Sequence, residues 1–206
     1  MKNKKGAIII LTGPSGAGKT TLCDALFKSF TNLRFSVSCT TRPARDDEID
    51  GIHYQFLSKE QFQEGIARGD FVEYAEVHGN FYGTLKTELQ TGIDVGWLTL
   101  LDIDVQGQIN IKKLYGDYAV SIFVTTPSYK DLERRLLMRG TEDINSLQER
   151  LQSAALEMKQ IPLFDYLIIN DDKERASNEI VSVVRAFLCT IPRYDVQGFI
   201  NNWAQH

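Results

Sequence analysis

Short runs of consecutive apolar residues alternate along the chain with longer segments in which apolar residues recur every three or four positions. The first run is Ala7–Thr12, and a helical pattern follows it from residue 19 to about residue 30. Unbroken apolar runs are typical of strands buried on both faces, and the wider spacing is typical of helices. The same patterns predict strands at 35–38, 97–101, 119–124 and 166–169, and helices at 106–115, 128–138, 146–160 and 174–188. Strands that alternate with helices predict an α/β fold with a mostly parallel five-stranded sheet flanked by helices.

The segment from residue 39 to about residue 94 departs from this alternation and is aromatic and polar. It contains two predicted strand-like pieces, at 52–57 and Phe71–Val77, and one predicted helix between them at 58–68. We interpret this segment as an inserted lobe of mixed α and β structure. Trp97, at the start of the next strand, is expected to face the core, and the tail after Pro192 has no clear pattern.

Composition limits the classes of function. The length of 206 residues and the 43% apolar content suit one α/β domain with small inserted lobes. The net charge of −4 argues against broad nucleic-acid binding, although local arginines can still bind a small anion. An odd number of cysteines without CxxC spacing argues against a disulfide framework or a zinc site. We find no signal peptide and no apolar stretch of the roughly 20 residues that a membrane span needs. We therefore predict a cytoplasmic protein without nucleic-acid or membrane partners, and leave formation of a homo-oligomer open.

A glycine-rich loop follows the first strand, opens the first helix and fits GxxxxGK[ST] at every defined position. Glycines let backbone N–H groups approach phosphate oxygens, and the helix N-terminus adds positive potential. Lys19 can reach the β- and γ-phosphates of a nucleotide, and the Thr20 hydroxyl can join the shell of a magnesium ion. The residues expected to bind ATP here are Gly13, Pro14, Ser15, Gly16, Ala17, Gly18, Lys19, Thr20 and Thr21. The loop predicts a nucleotide-binding protein but does not identify what accepts the phosphate.

Two carboxylates, Asp102 and Asp104, follow the apolar run at 98–101. Either could hold magnesium through water or contact an acceptor nucleotide, and a solvated strand end is the alternative for both.

The inserted lobe holds the candidates for an acceptor site. Arg42 and Arg45 follow a predicted strand, and Tyr54 and Tyr82 lie downstream. Two guanidinium groups and two phenol hydroxyls could clamp a monoester phosphate, because arginine donors are planar and permanently charged. The alternative is a pair of surface arginines in a solvated loop.

A carboxylate on the same lobe could select the base of the acceptor. Guanine presents N1–H and N2–H₂ donors side by side, which Glu73 could accept, and the Ser38 hydroxyl could donate to guanine O6. Adenine presents an acceptor at N1 instead, which a carboxylate repels. Glu76 is equally eligible on composition, and a solvated glutamate is the commoner reading of such a residue.

Together these motifs resemble the guanylate kinase family over roughly residues 6–172. The matching stretches are GPSGAGKTTL, SVSCTTRPAR, DGIHYQF, FVEYAEVHGNFYGT, LLDIDVQG, RRLLMRGTE and IINDD. The resemblance implies transfer of the ATP γ-phosphoryl group to GMP, and also to dGMP, with Mg²⁺ and within purine nucleotide metabolism. By the same resemblance the GMP-binding residues are Ser38, Arg42, Arg45, Tyr54, Glu73, Tyr82, Gly83, Thr84 and Asp102. Mg²⁺ is expected at Thr20, through the nucleotide phosphates, and at Asp102 through water. Thr84 stands where many members of the family carry serine, which keeps the hydroxyl.

The resemblance also implies an arginine lid over ATP. Arg135 and Arg139 are four residues apart and share a helical face, and Arg150 follows on the next predicted helix. The implied catalytic residues are Lys19, Arg42, Arg135, Arg139 and Arg150, and Asn170 is expected beside the adenine. The implied division is a P-loop core at 1–37, 95–134 and 160–206, a GMP-binding lobe at 38–94 and a helical lid at 135–159. The stretch after RGT lacks the usual acidic residue near Ile144 and Asn145, which affects the lid contacts rather than the chemistry.

Other functions fit parts of this pattern. A non-catalytic module of the same family could recognise phosphopeptides through the arginine–tyrosine pocket, but such modules usually have a damaged phosphate loop and lid. A related kinase could act on a phosphorylated sugar, but Ser38 and Glu73 argue for a base in the pocket. GTP-hydrolysing switch proteins share the phosphate loop, but the sequence has no NKxD-type guanine motif.

Overall fold

The computed structural model describes residues 5–77, 79–138 and 144–204, apart from the side chains of residues 77 and 144–146. The strands in these ranges are β1 Ala7–Thr12, β2 Leu33–Phe35, β3 Cys39–Thr40, β4 Gln55–Phe56, β5 Phe71–Val77, β6 Asn80–Leu85, β7 Leu98–Asp102, β8 Ala119–Thr125 and β9 Tyr166–Ile169. The α-helices are α1 Lys19–Ser29, α2 Lys59–Arg68, α3 Lys86–Val95, α4 Val105–Tyr115, α5 Tyr129–Leu137, α6 Ile144–Met158, α7 Lys173–Phe187 and α8 Val196–Trp203. Short 3₁₀ turns occupy Gly116–Tyr118, Ile161–Leu163 and Ile191–Arg193.

The larger sheet has five strands in the order β2-β7-β1-β8-β9, and all of its pairings are parallel. Parallel neighbours need crossover connections, which helices supply on both faces of this sheet. The predicted α/β fold with a five-stranded parallel sheet flanked by helices is confirmed. One strand is displaced from its predicted place at 35–38, because β2 enters the sheet at Leu33 and leaves it at the exposed Phe35.

The central strand β1 is buried along its whole length between two apolar layers. Ile9 and Leu11 belong to the layer that contains α1 and α7, and Ile8 and Ile10 belong to the layer that contains α3 and α4. Burial on both faces explains why this strand reads as an unbroken apolar run. It also fixes the position of the glycine-rich loop that follows it.

The inserted lobe has a separate sheet in the order β4-β3-β6-β5, with one parallel and two antiparallel pairings. The side chain of Phe62 on α2 is fully buried and stacks on the rings of Phe71 and Phe81, at centroid distances of 4.3 and 5.3 Å. These aromatic contacts give the lobe a small core of its own. The division into core, lobe and lid at the residue numbers given above stays a prediction.

Two helices were not predicted from the sequence, α3 and α8. The first begins without a side-chain cap and buries only Leu89, Gly92 and Ile93, so its periodic signal is weak. The second buries no residue at all. The prediction for Trp97 was wrong: its side chain is 40% exposed, and the Arg34 guanidinium lies 3.8 Å from its ring centre. Within the described ranges, no helix is long and apolar enough to cross a membrane.

Candidate active site

The glycine-rich loop between β1 and α1 has a backbone that only glycine tolerates at its key positions. Gly13 has a φ of 144°, and a Cβ there would lie 2.0 Å from the carbonyl oxygen of Val124 on β8. Gly18 has a φ of 94°, and a Cβ there would lie 2.2 Å from the Asn170 side-chain nitrogen. Both glycines therefore meet a conformational and a steric requirement. The loop lies at the carboxyl ends of the parallel strands, where α/β folds bind ligands.

Lys19, the first residue of α1, is directed back into the loop. Its Nζ donates a hydrogen bond to the carbonyl oxygen of Gly13 at 2.5 Å, and its side chain is only 16% exposed. The same Nζ lies 3.7 Å from Oδ1 of Asp102, the last residue of β7. Partial burial raises the pKa of Asp102, and the charge of Lys19 opposes that rise. A cation and a carboxylate thus lie at the mouth of the loop, with Thr20 exposed beside them.

The two candidate carboxylates after β7 have different surroundings. Asp104 caps α4, because its Oδ1 accepts a hydrogen bond from the Gly107 backbone nitrogen at 2.8 Å. Asp102 makes no such cap and faces Lys19 instead. The structure therefore places Asp102, rather than Asp104, beside the phosphate loop.

A second side of the loop is formed by the residues expected around ATP. The buried Asn170 follows β9 and donates from Nδ2 to the Ala17 carbonyl oxygen at 2.9 Å. Arg135 on α5 donates to the carbonyl oxygens of Asn170, at 2.6 Å, and Ala17, at 3.4 Å. A cavity of about 350 Å³ opens here, lined by Gly16, Gly18, Thr21, Arg135, Met138, Asn170, Asp171 and Lys173. The predicted lid residue Arg135 and the predicted adenine neighbour Asn170 thus meet at one cavity.

The remaining lid residues are only partly described. Nη1 of Arg150 on α6 lies 3.5 Å from the Ser15 hydroxyl, so this helix also reaches the loop. Arg139 lies outside the described residues. Glu157, which sequence analysis did not single out, is near Lys19 and Asp104: burial raises its pKa, Lys19 opposes the rise and Asp104 adds to it.

The predicted phosphate grip of the lobe is organised around Arg42. Its guanidinium group lies 5.5 Å from the ring centre of Tyr54, and that ring stands edge-on to the ring of Tyr82 at 6.2 Å. Nη1 and Nη2 of Arg42 donate to the two carboxylate oxygens of Glu48, at 2.9 and 2.7 Å. Arg45 is exposed, and its backbone nitrogen donates to the same carboxylate at 2.8 Å. The structure thus brings Arg42, Tyr54 and Tyr82 together, adds Glu48, and connects Arg45 to this group through its backbone nitrogen.

Glu48 was missed because the sequence offers four acidic residues in this short loop, Asp46, Asp47, Glu48 and Asp50. Only its spacing from Arg45, three residues on in a turn, could have suggested a role. The hydrogen bonds from Arg42 hold the pKa of Glu48 down, at about 2, and the Glu48 carboxylate in turn raises the pKa of Arg42. Both groups are therefore fully charged at neutral pH.

Glu73 on β5 and Thr84 on β6 are opposite each other in the lobe sheet. The hydroxyl of the fully buried Thr84 donates to Oε1 of Glu73 at 2.6 Å. Burial raises the pKa of Glu73, Thr84 opposes the rise, and the charge of Asp104 adds to it. A cavity of about 330 Å³ lies beside this carboxylate, lined by Val72, Glu73, Tyr74, Asp104, Gln106, Gly107 and Asn110. Glu76, the alternative, is exposed and does not line this cavity.

The last two predicted acceptor residues are placed by the lobe sheet. Ser38 directly precedes β3, and its carbonyl oxygen accepts from the Gln55 backbone nitrogen at 2.9 Å. Gly83 pairs with Cys39 and Tyr74 in the sheet, and a Cβ there would lie 2.9 Å from the Glu73 carbonyl oxygen. Close packing of the sheet is thus a structural reason for glycine at residue 83.

The donor set suits a magnesium ion that is held mainly by nucleotide phosphates. Thr20 and Asp102 offer the oxygen ligands that Mg²⁺ prefers, in the small number that leaves room for phosphate oxygens and water. Within the described ranges, no group of three or more His, Cys, Asp and Glu side chains could hold a metal by itself.

Comparison with known proteins gives one consistent result. A family model described as guanylate kinase matches residues 5–187. A guanylate kinase of Wolinella succinogenes is 46% identical over 203 residues, which are 98% of this chain and 94% of that protein. A guanylate kinase of Helicobacter hepaticus is 47% identical over 182 residues, which are 88% of this chain and 91% of that protein. The crystal structure of guanylate kinase from Anaplasma phagocytophilum matches with a TM-score of 0.71 and 32% identity, over 97% of this chain and 96% of that one.

Proposed function

The chain belongs to the guanylate kinase family, and we propose that it is an ATP:GMP phosphotransferase whose substrates occupy the two cavities described above. It transfers the γ-phosphoryl group of ATP to GMP and gives ADP and GDP. Two observations support this proposal: a lysine-containing phosphate loop with Asp102 beside its lysine, and a second cavity lined by Glu73 and Asp104.

On the donor side, we assign the ATP phosphates to the loop at 13–20 and to Lys19. The adenine would occupy the cavity beside Asn170 and Arg135. Arg135 and Arg150, together with Arg139, would neutralise the charge that spreads over the transferred phosphoryl group. Thr20 and, through water, Asp102 would hold the Mg²⁺ that is bound with ATP. This ion would neutralise charge on the β- and γ-phosphates.

On the acceptor side, we assign the GMP phosphate to Arg42, Arg45, Tyr54 and Tyr82, and the base to Ser38, Glu73 and Thr84. Glu73 would accept from guanine N1–H and N2–H₂, and Gly83 would let the base approach the sheet. A GMP phosphate oxygen then attacks the γ-phosphorus in line and ADP leaves, without a covalent enzyme intermediate. Closure of the lid would exclude water, which otherwise accepts the phosphoryl group.

A panel of acceptors tests this function. With ATP and Mg²⁺, we expect phosphorylation of GMP and dGMP, and a rate with AMP lower by at least about 100-fold, because AMP leaves Glu73 without its donors. UMP and ribose 5-phosphate are tested in the same assay as further candidate acceptors. Preference for a sugar phosphate, or tight phosphopeptide binding without any turnover of GMP, would overturn the assignment.

The partners follow from the same proposal: ATP and GMP as substrates, with no nucleic-acid or membrane partner. The cysteines of the described chain, Cys23, Cys39 and Cys189, are free thiols, which supports the predicted location in a reducing cytoplasm.

A further inference from the structure

We propose that Glu48 is a positioning residue for the acceptor phosphate: it holds the Arg42 guanidinium so that one edge stays available to the phosphate. The inference rests on the proposed function, because it takes the pocket around Arg42 as the seat of the GMP phosphate. Glu48 itself would not touch the substrate.

The hydrogen bonds of Arg42 show which edge is used. Glu48 accepts from both Nη1 and Nη2, and the Pro43 carbonyl oxygen accepts the other hydrogen of Nη1 at 2.7 Å. A guanidinium group has five N–H donors in a fixed plane. The two donors that Glu48 and Pro43 do not use, on Nε and on Nη2, point in parallel from the side edge of the plane, and the Tyr82 side chain also interacts with this guanidinium. That edge can donate two hydrogen bonds to one phosphate group while Glu48 stays bound to the end edge.

The same carboxylate fixes the backbone that carries the second arginine. The Arg45 backbone nitrogen donates to Glu48 Oε2 at 2.8 Å, and the Glu48 backbone nitrogen donates to the Arg45 carbonyl oxygen at 3.0 Å. These reciprocal bonds close the turn at 45–48. One carboxylate therefore orients the guanidinium of Arg42 and the start of the Arg45 side chain.

The surroundings of the pair are those of a built site rather than of an exposed ion pair. The side chains of Arg42 and Glu48 are only 18% and 12% exposed. The rings of Tyr54 and Phe56 lie 5.5 and 5.9 Å from the guanidinium. Packing of this kind limits rotation of Arg42 and keeps the pair bidentate.

Two effects of Glu48 on a bound phosphate oppose each other. Its negative charge cancels that of Arg42, which weakens the attraction of the pocket for a dianion. Its hydrogen bonds hold the guanidinium in one plane, which favours two short, directional bonds to phosphate. The charges of Glu48 and the phosphate would lie on different edges of the guanidinium, with the positive charge of that group between them. The positioning effect should therefore exceed the repulsion.

The test compares E48Q with wild type and with two further variants. E48Q keeps the size of the side chain but accepts from Arg42 at one oxygen only, and E48D keeps the charge on a shorter stem. D70N is the matched control, because Asp70 pairs with Arg68 in the same lobe but outside the site. The measurements are KM for GMP and for ATP, kcat, the inhibition constant of guanosine, and the melting temperature.

We expect E48Q to raise KM for GMP roughly tenfold, because one charge-assisted hydrogen bond at the guanidinium is lost. KM for ATP and the inhibition constant of guanosine should stay within about twofold, since neither ligand uses the acceptor phosphate grip. E48D should recover part of the loss, and D70N should match wild type in every constant.

Each other outcome overturns a defined part of the argument. An unchanged or lowered KM for GMP in E48Q would mean that Glu48 does not position Arg42, and that its charge has no effect on the GMP phosphate or repels it. A parallel loss of guanosine binding would indicate a distorted lobe instead of a misplaced arginine. If E48Q does not fold, the same kinetic and inhibition constants of E48D test the proposal instead. If wild type does not phosphorylate GMP at all, the proposed function fails first and this inference with it.

Discussion

In the proposed site, the donor loop and the acceptor lobe would bind phosphate with different parts of the chain. The loop has its backbone N–H groups at a junction between a buried strand and a helix, and Val124 and Asn170 leave no room for a side chain at Gly13 and Gly18. The lobe would present the side chains of Arg42, Arg45 and two tyrosines, and the Glu48 carboxylate accepts hydrogen bonds from the Arg42 guanidinium and the Arg45 backbone. The donor site should therefore fail when the backbone changes, whereas the acceptor site should fail when single side chains change.

Replacing Lys19 should give the largest difference between effects on the donor loop and effects on the acceptor lobe. In K19A, kcat should fall by about 10³-fold, because the cation that we assign to the transferred phosphoryl group is lost. KM for GMP should change by less than about threefold, since the acceptor lobe is untouched. Steady-state kinetics with each substrate varied in turn measure both. K28A removes an exposed lysine from the same helix and should retain full turnover; full turnover of K19A would contradict the role of Lys19.

Replacing the base-reading carboxylate should affect the acceptor side alone. In E73Q, KM for GMP should rise about 100-fold, because one charged acceptor for the guanine edge becomes a neutral amide. KM for ATP should stay at the wild-type value. E76Q is the matched control on the same strand and should bind GMP normally. A similar loss in both variants would show that the lobe reads guanine in another way.

The same substitution should stabilise the protein. Burial raises the pKa of Glu73 above its unfolded value, so the unfolded chain releases its proton at a lower pH than the folded one. Stability contributed by this group therefore falls as the pH rises from the unfolded to the folded pKa. We expect E73Q to melt above wild type at neutral pH, and the difference to vanish below about pH 4, where both states are protonated. A melting temperature of E73Q below that of wild type at neutral pH would contradict this sign.

The two regions also differ in how far the sequence predicts them. The donor loop is a contiguous motif between a strand and a helix, so its residues and its placement follow from the sequence directly. Asn170 is 153 residues from Ala17 along the chain, and only the resemblance selected it. Parallel strand order then brings the ends of β1 and β9 to one edge of the sheet, which no local pattern records.

The acceptor site depends on contacts that composition cannot rank. Glu48 is one of several acidic residues in its loop, and only folding selects it as the partner of Arg42. On composition alone Glu73 and Glu76 are equally eligible, and only the resemblance selects Glu73; the structure puts Glu73 beside a cavity and leaves Glu76 exposed. Trp97 is of a residue type common in cores, but its ring packs against the Arg34 guanidinium near the surface. An indole ring can pack against a guanidinium group as well as against apolar groups.

A backbone substitution tests whether the donor loop is as intolerant as its geometry indicates. In G18A, the new Cβ would clash with Asn170 and the φ of 94° would be strained. KM for ATP should rise about tenfold, with KM for GMP unchanged. G69A is the control: Gly69 has a φ of 71° but its nearest contact would be 3.9 Å away, so only strain of about 1 kcal/mol is expected. Equal kinetic effects in both variants would remove the distinction between clash and strain.

The smallest expected effect concerns Thr84, whose buried hydroxyl and methyl group can be tested one at a time. T84S keeps the donor to Glu73 and should leave KM for GMP within about twofold, but loss of a buried methyl should cost about 1 kcal/mol. That cost corresponds to a melting temperature about 2–4 °C lower. T84V keeps the volume and removes the donor, so KM for GMP should rise about fivefold, and the melting temperature should fall at least as far as in T84S because Glu73 loses a hydrogen bond. If T84S weakened GMP binding as much as T84V, the methyl group would be the part of Thr84 that the acceptor site uses.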